Sequence, residues 1–161
     1  MTPQDCAFCR IVAAAGAVSA DSLPAFASPE GQPAAAIVHL NSEVLVFLDH
    51  RPVFPGHCLV IPKVHVETFD DLPDDLLQPV FATARFVSRA LQHGLGAEGS
   101  FTAVNNRVSQ SVPHLHVHVI PRRRKDGLRG FFWPRHPYED EEQMLRTAGL
   151  ISGAVKELFD N

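Results

Sequence analysis

An α+β fold is what this sequence predicts: a mostly antiparallel five-stranded sheet, one long central helix and a C-terminal helix. Short β-rich runs bounded by turn residues, a mid-chain stretch of helical apolar periodicity and a second helical pattern near the end carry that expectation. In chain order, residues 13–36 are dominated by Ala, Ser, Pro and Gly with no apolar period, so an inserted surface loop is expected over 16–36. Residues 36–40, 44–48 and 57–61 then read as strands, split by Asn41-Ser42 and by Arg51-Pro-Val-Phe-Pro-Gly56. Leu76, Leu77, Val80, Phe81, Ala84, Val87 and Leu91 recur at helical spacing, and His93-Gly94 supplies a stop. Pro79 either opens that helix or sets off a kinked first turn. Residues 101–104 and 115–120 complete the strands, and 141–159 form a helix within a C-terminal extension over 122–161. Phe131, Phe132 and Trp133 either pack that helix or reach a base or a partner subunit.

The chain has 161 residues, 45% of them apolar, which suits one domain spanning 1–161. With 14 Lys and Arg against 18 Asp and Glu, the net charge of −4 provides no field to hold a nucleic acid, so no such partner is expected. The longest apolar stretch near the N-terminus, residues 11–20, is too short to cross a bilayer and no basic segment precedes it. A cytoplasmic protein without a membrane partner is expected. Cys6 and Cys9 form C-x-x-C while Cys58 stands alone in an apolar run, which is half of a metal or redox signal.

Pro113-His-Leu-His-Val-His-Val-Ile-Pro121 carries the chemistry. On a strand, a period of two puts His114, His116 and His118 on one face and Leu115, Val117 and Val119 on the other. Such a row serves either a metal or an imidazole nucleophile acting on phosphorus with neighbouring donors. Alternate strand residues lie about 6.6 Å apart, so the outer pair, about 13 Å apart, cannot share one ion without a bulge. A division of labour is expected, with an outer histidine on a structural metal and the other two at the reacting centre, and the C-x-x-C pair is the available partner.

His-Leu-His-Val-His-Val-Ile resembles the signature of the histidine triad family of nucleotide hydrolases and transferases. Cys6-Ala-Phe-Cys-Arg-Ile11 resembles the family's opening motif, Phe47-Leu-Asp-His-Arg-Pro-Val-Phe-Pro-Gly-His-Cys-Leu-Val-Ile-Pro-Lys63 its nucleotide-binding segment, and Gln110-Ser-Val-Pro-His114 the approach to the triad. The resemblance implies a HIT-like fold and His116 as the nucleophile that attacks the α-phosphorus of a nucleotide, giving a nucleotidyl-imidazole intermediate that water cleaves. It implies His118 and His57 as donors to phosphate oxygens, Asn105 and Ser111 as positioning residues with Gln110 beside them, and Asp49 as the ribose carboxylate. Ile11, Phe47 and Leu48 would line the base. Cys6, Cys9, His65 and His114 would hold a structural Zn²⁺, since two thiolates and two imidazoles close a tetrahedron. The implied substrates are purine nucleotides in the form of dinucleoside polyphosphates or nucleoside phosphoramidates, and the implied assembly is a homodimer. A phosphorolytic nucleotidyl transferase and a catalytically weak nucleotide-binding scaffold are the alternatives. The segment between Asn105 and Gln110 is short and lacks glycine, so Asn105 and Asn106 are both eligible for one role, and Arg122-Arg-Arg-Lys125 either steers a polyphosphate tail or forms a solvated turn.

Overall fold

The strands of the sheet are short, three to six residues each. The computed structural model describes residues 2, 4–31, 34–128 and 136–159. Among these, α1 (Ala7–Ala14), β1 (Ala25–Ala27), β2 (Ala35–Leu40), β3 (Val44–Leu48), β4 (Cys58–Pro62), α2 (Asp74–Leu95), β5 (Gly99–Val104), β6 (Val117–Arg122) and α3 (Glu141–Phe159) follow in order. All strand pairings are antiparallel and the sheet order is β1-β2-β3-β4-β6-β5. After α2 crosses over, β6 is inserted between β4 and β5, so the histidine strand is anchored on both edges.

The sheet has six strands where five are expected. The sixth, β1, lies inside the Ala/Pro-rich segment, where Ala25, Phe26 and Ala27 pair with Ile37, Ala36 and Ala35. Three residues between turns show no periodicity, and their pairing is set by the tertiary edge of β2 rather than by local pattern. The two sheet faces pack differently. Val44, Val46, Cys58, Val60, Val117 and Val119 meet Val80, Ala84, Val87 and Leu91 of α2. Ile37, Leu45, Phe47, Leu59 and Ile61 on the other face meet Phe8 and Ile11 of α1.

Helix α2 begins at Asp74, five residues before Pro79, and runs past the expected stop at His93-Gly94. Proline near the start removes only one early N–H partner, and the acidic Asp74 and Asp75 favour the positive end of the helix dipole. Termination falls to Gly96, which takes a left-handed φ of 62°. Arg123 caps this end, its guanidinium donating to the carbonyls of Gly96 at 2.7 Å and Leu95. Arg122 pairs with Asp126 at 2.6 Å and the Arg124 N–H donates to Glu98 Oε2 at 2.6 Å. Arg122, Arg123 and the Arg124 backbone are thus engaged at the ends of α2 and β5 while the Arg124 side chain is exposed, which is closer to the solvated turn than to phosphate steering, the two readings left open by the sequence.

The strand expected over 115–120 is shifted to Val117–Arg122. A tight turn at 112–114, with the His114 N–H donating to Val112 O at 2.8 Å, and a bond from the Leu115 N–H to Val66 O at 2.6 Å hold the preceding residues out of the ladder. The period-two alternation consequently covers His118 alone within a strand.

A second compact unit, Gly127–Asn161, contains α3. Its start is a reciprocal cap: the Gln143 N–H donates to Asp140 Oδ1 at 2.6 Å and the Glu139 N–H donates to Gln143 Oε1 at 2.7 Å. The aromatic run at Phe131, Phe132 and Trp133 lies outside the described residues.

Gly56 closes the turn before β4 with φ 98°, and a Cβ there would stand 2.5 Å from Leu95 Cδ1. The leucine tip can yield; the backbone conformation cannot. Gly56→Ala is expected to lower the unfolding free energy by about 1–2 kcal/mol, read as a lower denaturant midpoint at unchanged slope.

Candidate active site and metal cluster

Cys6 caps α1 and Cys9 lies in its first turn, so a spacing of three puts both thiols on one side of the helix. His65 arrives from the segment after β4 and His114 from the turn before β6. One ligand atom from each of Cys6, Cys9, His65 and His114 lies within 4.8 Å of all the others. Sγ of Cys6 is 3.5 Å from His114 Nδ1, and Sγ of Cys9 is 3.3 Å from His65 Nδ1 and 3.5 Å from His114 Nδ1. A tetrahedral ion with Zn–S near 2.3 Å and Zn–N near 2.0 Å requires S···N separations of about 3.5 Å, so the four residues fit such a metal. The far nitrogen of His114 donates to Pro62 O at 2.9 Å, which fixes the ring with Nδ1 facing the thiols. His65 Nε2 faces Glu67 Oε1 at 3.8 Å. Without a cation, burial and the adjacent Cys6 push the Cys9 thiol up to about 11. A metal would supply the charge that turns this pair into thiolates.

On the same face of the sheet lies a cleft of about 460 Å³. Phe47, Leu48 and Asp49 reach it from the end of β3, Ala7, Phe8 and Ile11 from α1, and Ser111, Val112, His116 and His118 from the β5–β6 connection and β6. Leu59 is the cross-strand partner of His118 and shares its face. Asp49 is held at the mouth of the 49–57 loop, where its N–H donates to His57 O at 2.9 Å and its Oδ1 accepts the Arg51 N–H at 2.9 Å. His116 is 4% exposed, and its Nδ1 lies 2.7 Å from the carbonyl of His114. That carbonyl can only accept, so Nδ1 carries the proton and the lone pair is left on Nε2. Phe8 meets the His116 ring edge-on at 5.2 Å, and the His118 ring is 4.8 Å away. His57, 3% exposed, stands behind His118 with its Nε2 3.0 Å from His118 Nδ1.

Burial lowers the pKa of His57 and His116, and Asp49 opposes the shift in both. His118 falls to about 4, through burial first and then the neighbouring His116 and His57. Neutral rings near pH 7 leave His116 with a nucleophilic lone pair.

Seven expected residues line the cleft: Ile11, Phe47, Leu48, Asp49, Ser111, His116 and His118. His57 supports it from behind. Gln110 is turned elsewhere, donating through Nε2 to Glu67 O at 2.6 Å and accepting the Arg107 N–H at 2.9 Å. Asn106 accepts the Phe69 N–H at 2.9 Å and donates to Asp70 at 3.0 Å, so its amide is committed to the surface loop. Asn105 is half-buried and is not part of the described lining. The absent glycines are replaced by Arg107 and Ser109 at φ 66° and 61°, which make the left-handed turns that glycine usually supplies. Ala34, Ala35 and Arg51 also line the cleft. The inserted segment thus contributes a wall of small side chains, which its lack of polar chemistry concealed.

Comparison with known proteins places this geometry in context. A family model described as HIT domain matches residues 30–125. The protein "Protein hit" of Bacillus subtilis is 33% identical over 157 residues, covering 96% of this chain and 95% of its own length. Adenosine 5'-monophosphoramidase hnt1 of Schizosaccharomyces pombe is 35% identical over 115 residues, covering 70% and 82% respectively. A crystal structure of a Zn-bound histidine triad family protein from Mycobacterium smegmatis matches with a TM-score of 0.64 at 31% identity, over 96% of this chain and 99% of that one. Among the described residues, no helix is long and apolar enough to cross a membrane.

Proposed function

This chain belongs to the HIT domain family, and from that premise we propose that it is a nucleotide hydrolase that cleaves at the α-phosphate of dinucleoside polyphosphates or nucleoside phosphoramidates through a nucleotidyl-His116 intermediate. The observation that carries this reading is the oriented His116 ring: its Nδ1–H is tied to the His114 carbonyl at 2.7 Å and its free lone pair is left in a cleft shared with Asp49 and His118. The neutral imidazole attacks phosphorus, the leaving group departs with the bonding pair, and water cleaves the P–N bond to release the nucleotide. His118 donates to oxygens on which charge develops, Ser111 lies at the same rim, and Asp49 offers acceptor oxygens to a ribose diol. The phosphoramidase activity in one relative's name supports the same substrate class. Cys6, Cys9, His65 and His114 would hold a structural zinc, and the outer edge of β5, unpaired among the described residues, suits pairing with a second copy in a homodimer.

The deciding experiment is incubation with a panel of dinucleoside polyphosphates and adenosine phosphoramidates, with products identified by mass. A nucleoside monophosphate product is expected. No turnover beside intact nucleotide binding would favour a scaffold, and a nucleoside diphosphate formed only in the presence of phosphate would favour a phosphorolytic transferase. Within this assignment Asp49→Ala should weaken nucleotide binding by about 1–3 kcal/mol in calorimetry, the loss typical of hydrogen bonds to a charged group. Equal affinity of the unaltered protein for ribose and 2′,3′-dideoxyribose nucleotides would remove Asp49 from the ribose site.

A further inference from the structure

The turn that precedes β4 sets a backbone donor against a buried ring. The Val53 N–H donates to His57 Nδ1 over 3.3 Å. A ring nitrogen that accepts a hydrogen bond keeps its lone pair, so in a neutral imidazole the proton sits on the other nitrogen. His57 therefore carries its proton on Nε2, and across the 3.0 Å contact it donates to His118 Nδ1. The same rule, applied once more, puts the proton of His118 on Nε2. That atom is buried and has no hydrogen-bond partner among the described residues. Its ring lines the cleft beside His116.

From this geometry we propose that the Val53 backbone N–H is a positioning group that fixes the tautomers of His57 and His118 in series, so that His118 presents Nε2–H to an oxygen of the phosphoryl group at His116. The two rings facing the cleft then hold opposite tautomers. His116 is tied by the His114 carbonyl and offers a lone pair, while His118 is tied by the Val53 amide and offers a hydrogen. A nucleophile and a donor on rings whose centroids lie 4.8 Å apart, both set before substrate arrives, need no reorganisation during reaction. Burial of His57 and His118 keeps both rings neutral near pH 7, the condition under which one tautomer must be chosen.

The rival arrangement places the His57 proton on Nδ1, toward Asp49 Oδ2 at 3.5 Å. That contact is the longer of the two at Nδ1, and the Nδ1 hydrogen would face the Val53 N–H. His57 Nε2 would become an acceptor, His118 would have to donate through Nδ1, and a lone pair on its Nε2 would meet an anionic oxygen. The structure thus links one backbone amide to the sign of the interaction at phosphate.

The role at phosphate rests on the nucleotidyl-histidine reading above; the tautomers do not. The test is a long-range ¹H–¹⁵N spectrum of the full-length protein with ¹⁵N-labelled histidine near pH 7, which separates protonated from unprotonated ring nitrogens. Protonated Nε2 is expected at both His57 and His118, and a protonated Nδ1 at His57 overturns the proposal. Val53→Ala keeps the amide and should keep the pattern. Val53→Pro removes it and should give mixed or reversed tautomers at both rings; an unchanged pattern overturns the proposal. If Val53→Pro fails to fold, the spectrum of the unaltered protein still decides the tautomers. In the kinetic arm, Val53→Pro should lower kcat by roughly tenfold or more, up to the 10²–10³ cost of losing a preorganised donor outright, while nucleotide Kd stays within about twofold. Rearranged tautomers with unchanged kcat overturn the role at phosphate. Absence of turnover in the unaltered protein rejects the hydrolase reading instead, and with it the role at phosphate.

Discussion

His116→Ala is expected to leave no measurable turnover while changing nucleotide affinity by no more than a few-fold. The asymmetry follows from what the residue contributes. In the proposed mechanism its Nε2 lone pair forms a covalent bond to phosphorus after binding, so removing it would delete the reaction path rather than a ground-state contact. The walls that would hold a nucleotide remain: Phe47 and Leu48 stand on β3, Ile11 on α1, and Asp49 is tied by its own backbone to His57. The ring is buried, so the alanine leaves a small cavity beside Phe8, and a modest loss of stability must be measured alongside activity. Unaltered protein mixed with a slow substrate, quenched and mapped by mass spectrometry should carry the nucleotidyl adduct on the peptide containing His116. An active His116→Ala protein, or an adduct mapped to His114, His118 or His57, would reject the mechanism.

The fold and the cleft were legible in the sequence to different depths, for physical reasons. Strands β2 to β4 and helix α3 are written in local periodicity, and the structure shifts their limits by a residue at most. Strand β1 is not, because three residues gain their pairing only once β2 exists to receive them. The row of histidines shows the limit of periodicity more sharply. Alternation along an ideal strand predicts one shared face, but a turn at Pro113-His114 and a bond from the Leu115 N–H to Val66 take the first two histidines out of the ladder. His114 can then reach Cys6 and Cys9 while His116 and His118 remain at the cleft. Gln110 illustrates the opposite case. Its place in the motif suggests a ligand contact, yet its amide bridges the loops at Glu67 and Arg107, partners that no sequence spacing announces. Val53 was silent for a related reason, since the group that matters there is its backbone N–H, which every residue but proline carries.

Metal removal should produce the largest change in stability. One zinc per chain is expected in protein purified without added metal, measured by elemental analysis, and both chelation and Cys9→Ser should lower the melting temperature. The four candidate ligands come from the start of α1, the segment after β4 and the turn before β6, so an ion would close a long loop between Cys6 and His114 and tie α1 to the sheet. Helix α1 has eight residues, too few to persist alone, and it contributes Phe8 and Ile11 to the core beneath the cleft. Losing that anchorage is expected to cost at least about 3 kcal/mol, a fraction of the roughly 10–16 kcal/mol with which structural zinc sites bind their metal. For a chain of this size that corresponds to a fall of about 6–12 °C. Turnover per folded molecule should change less, because His116, His118 and His57 stand on β6 and the segments joined to β4 and β6, and none of them is a ligand in the cluster. Well-folded protein without zinc, or a Cys9→Ser variant with unaltered metal content and melting temperature, would leave the cluster as one buried and one half-buried thiol beside two imidazoles and no structural ion.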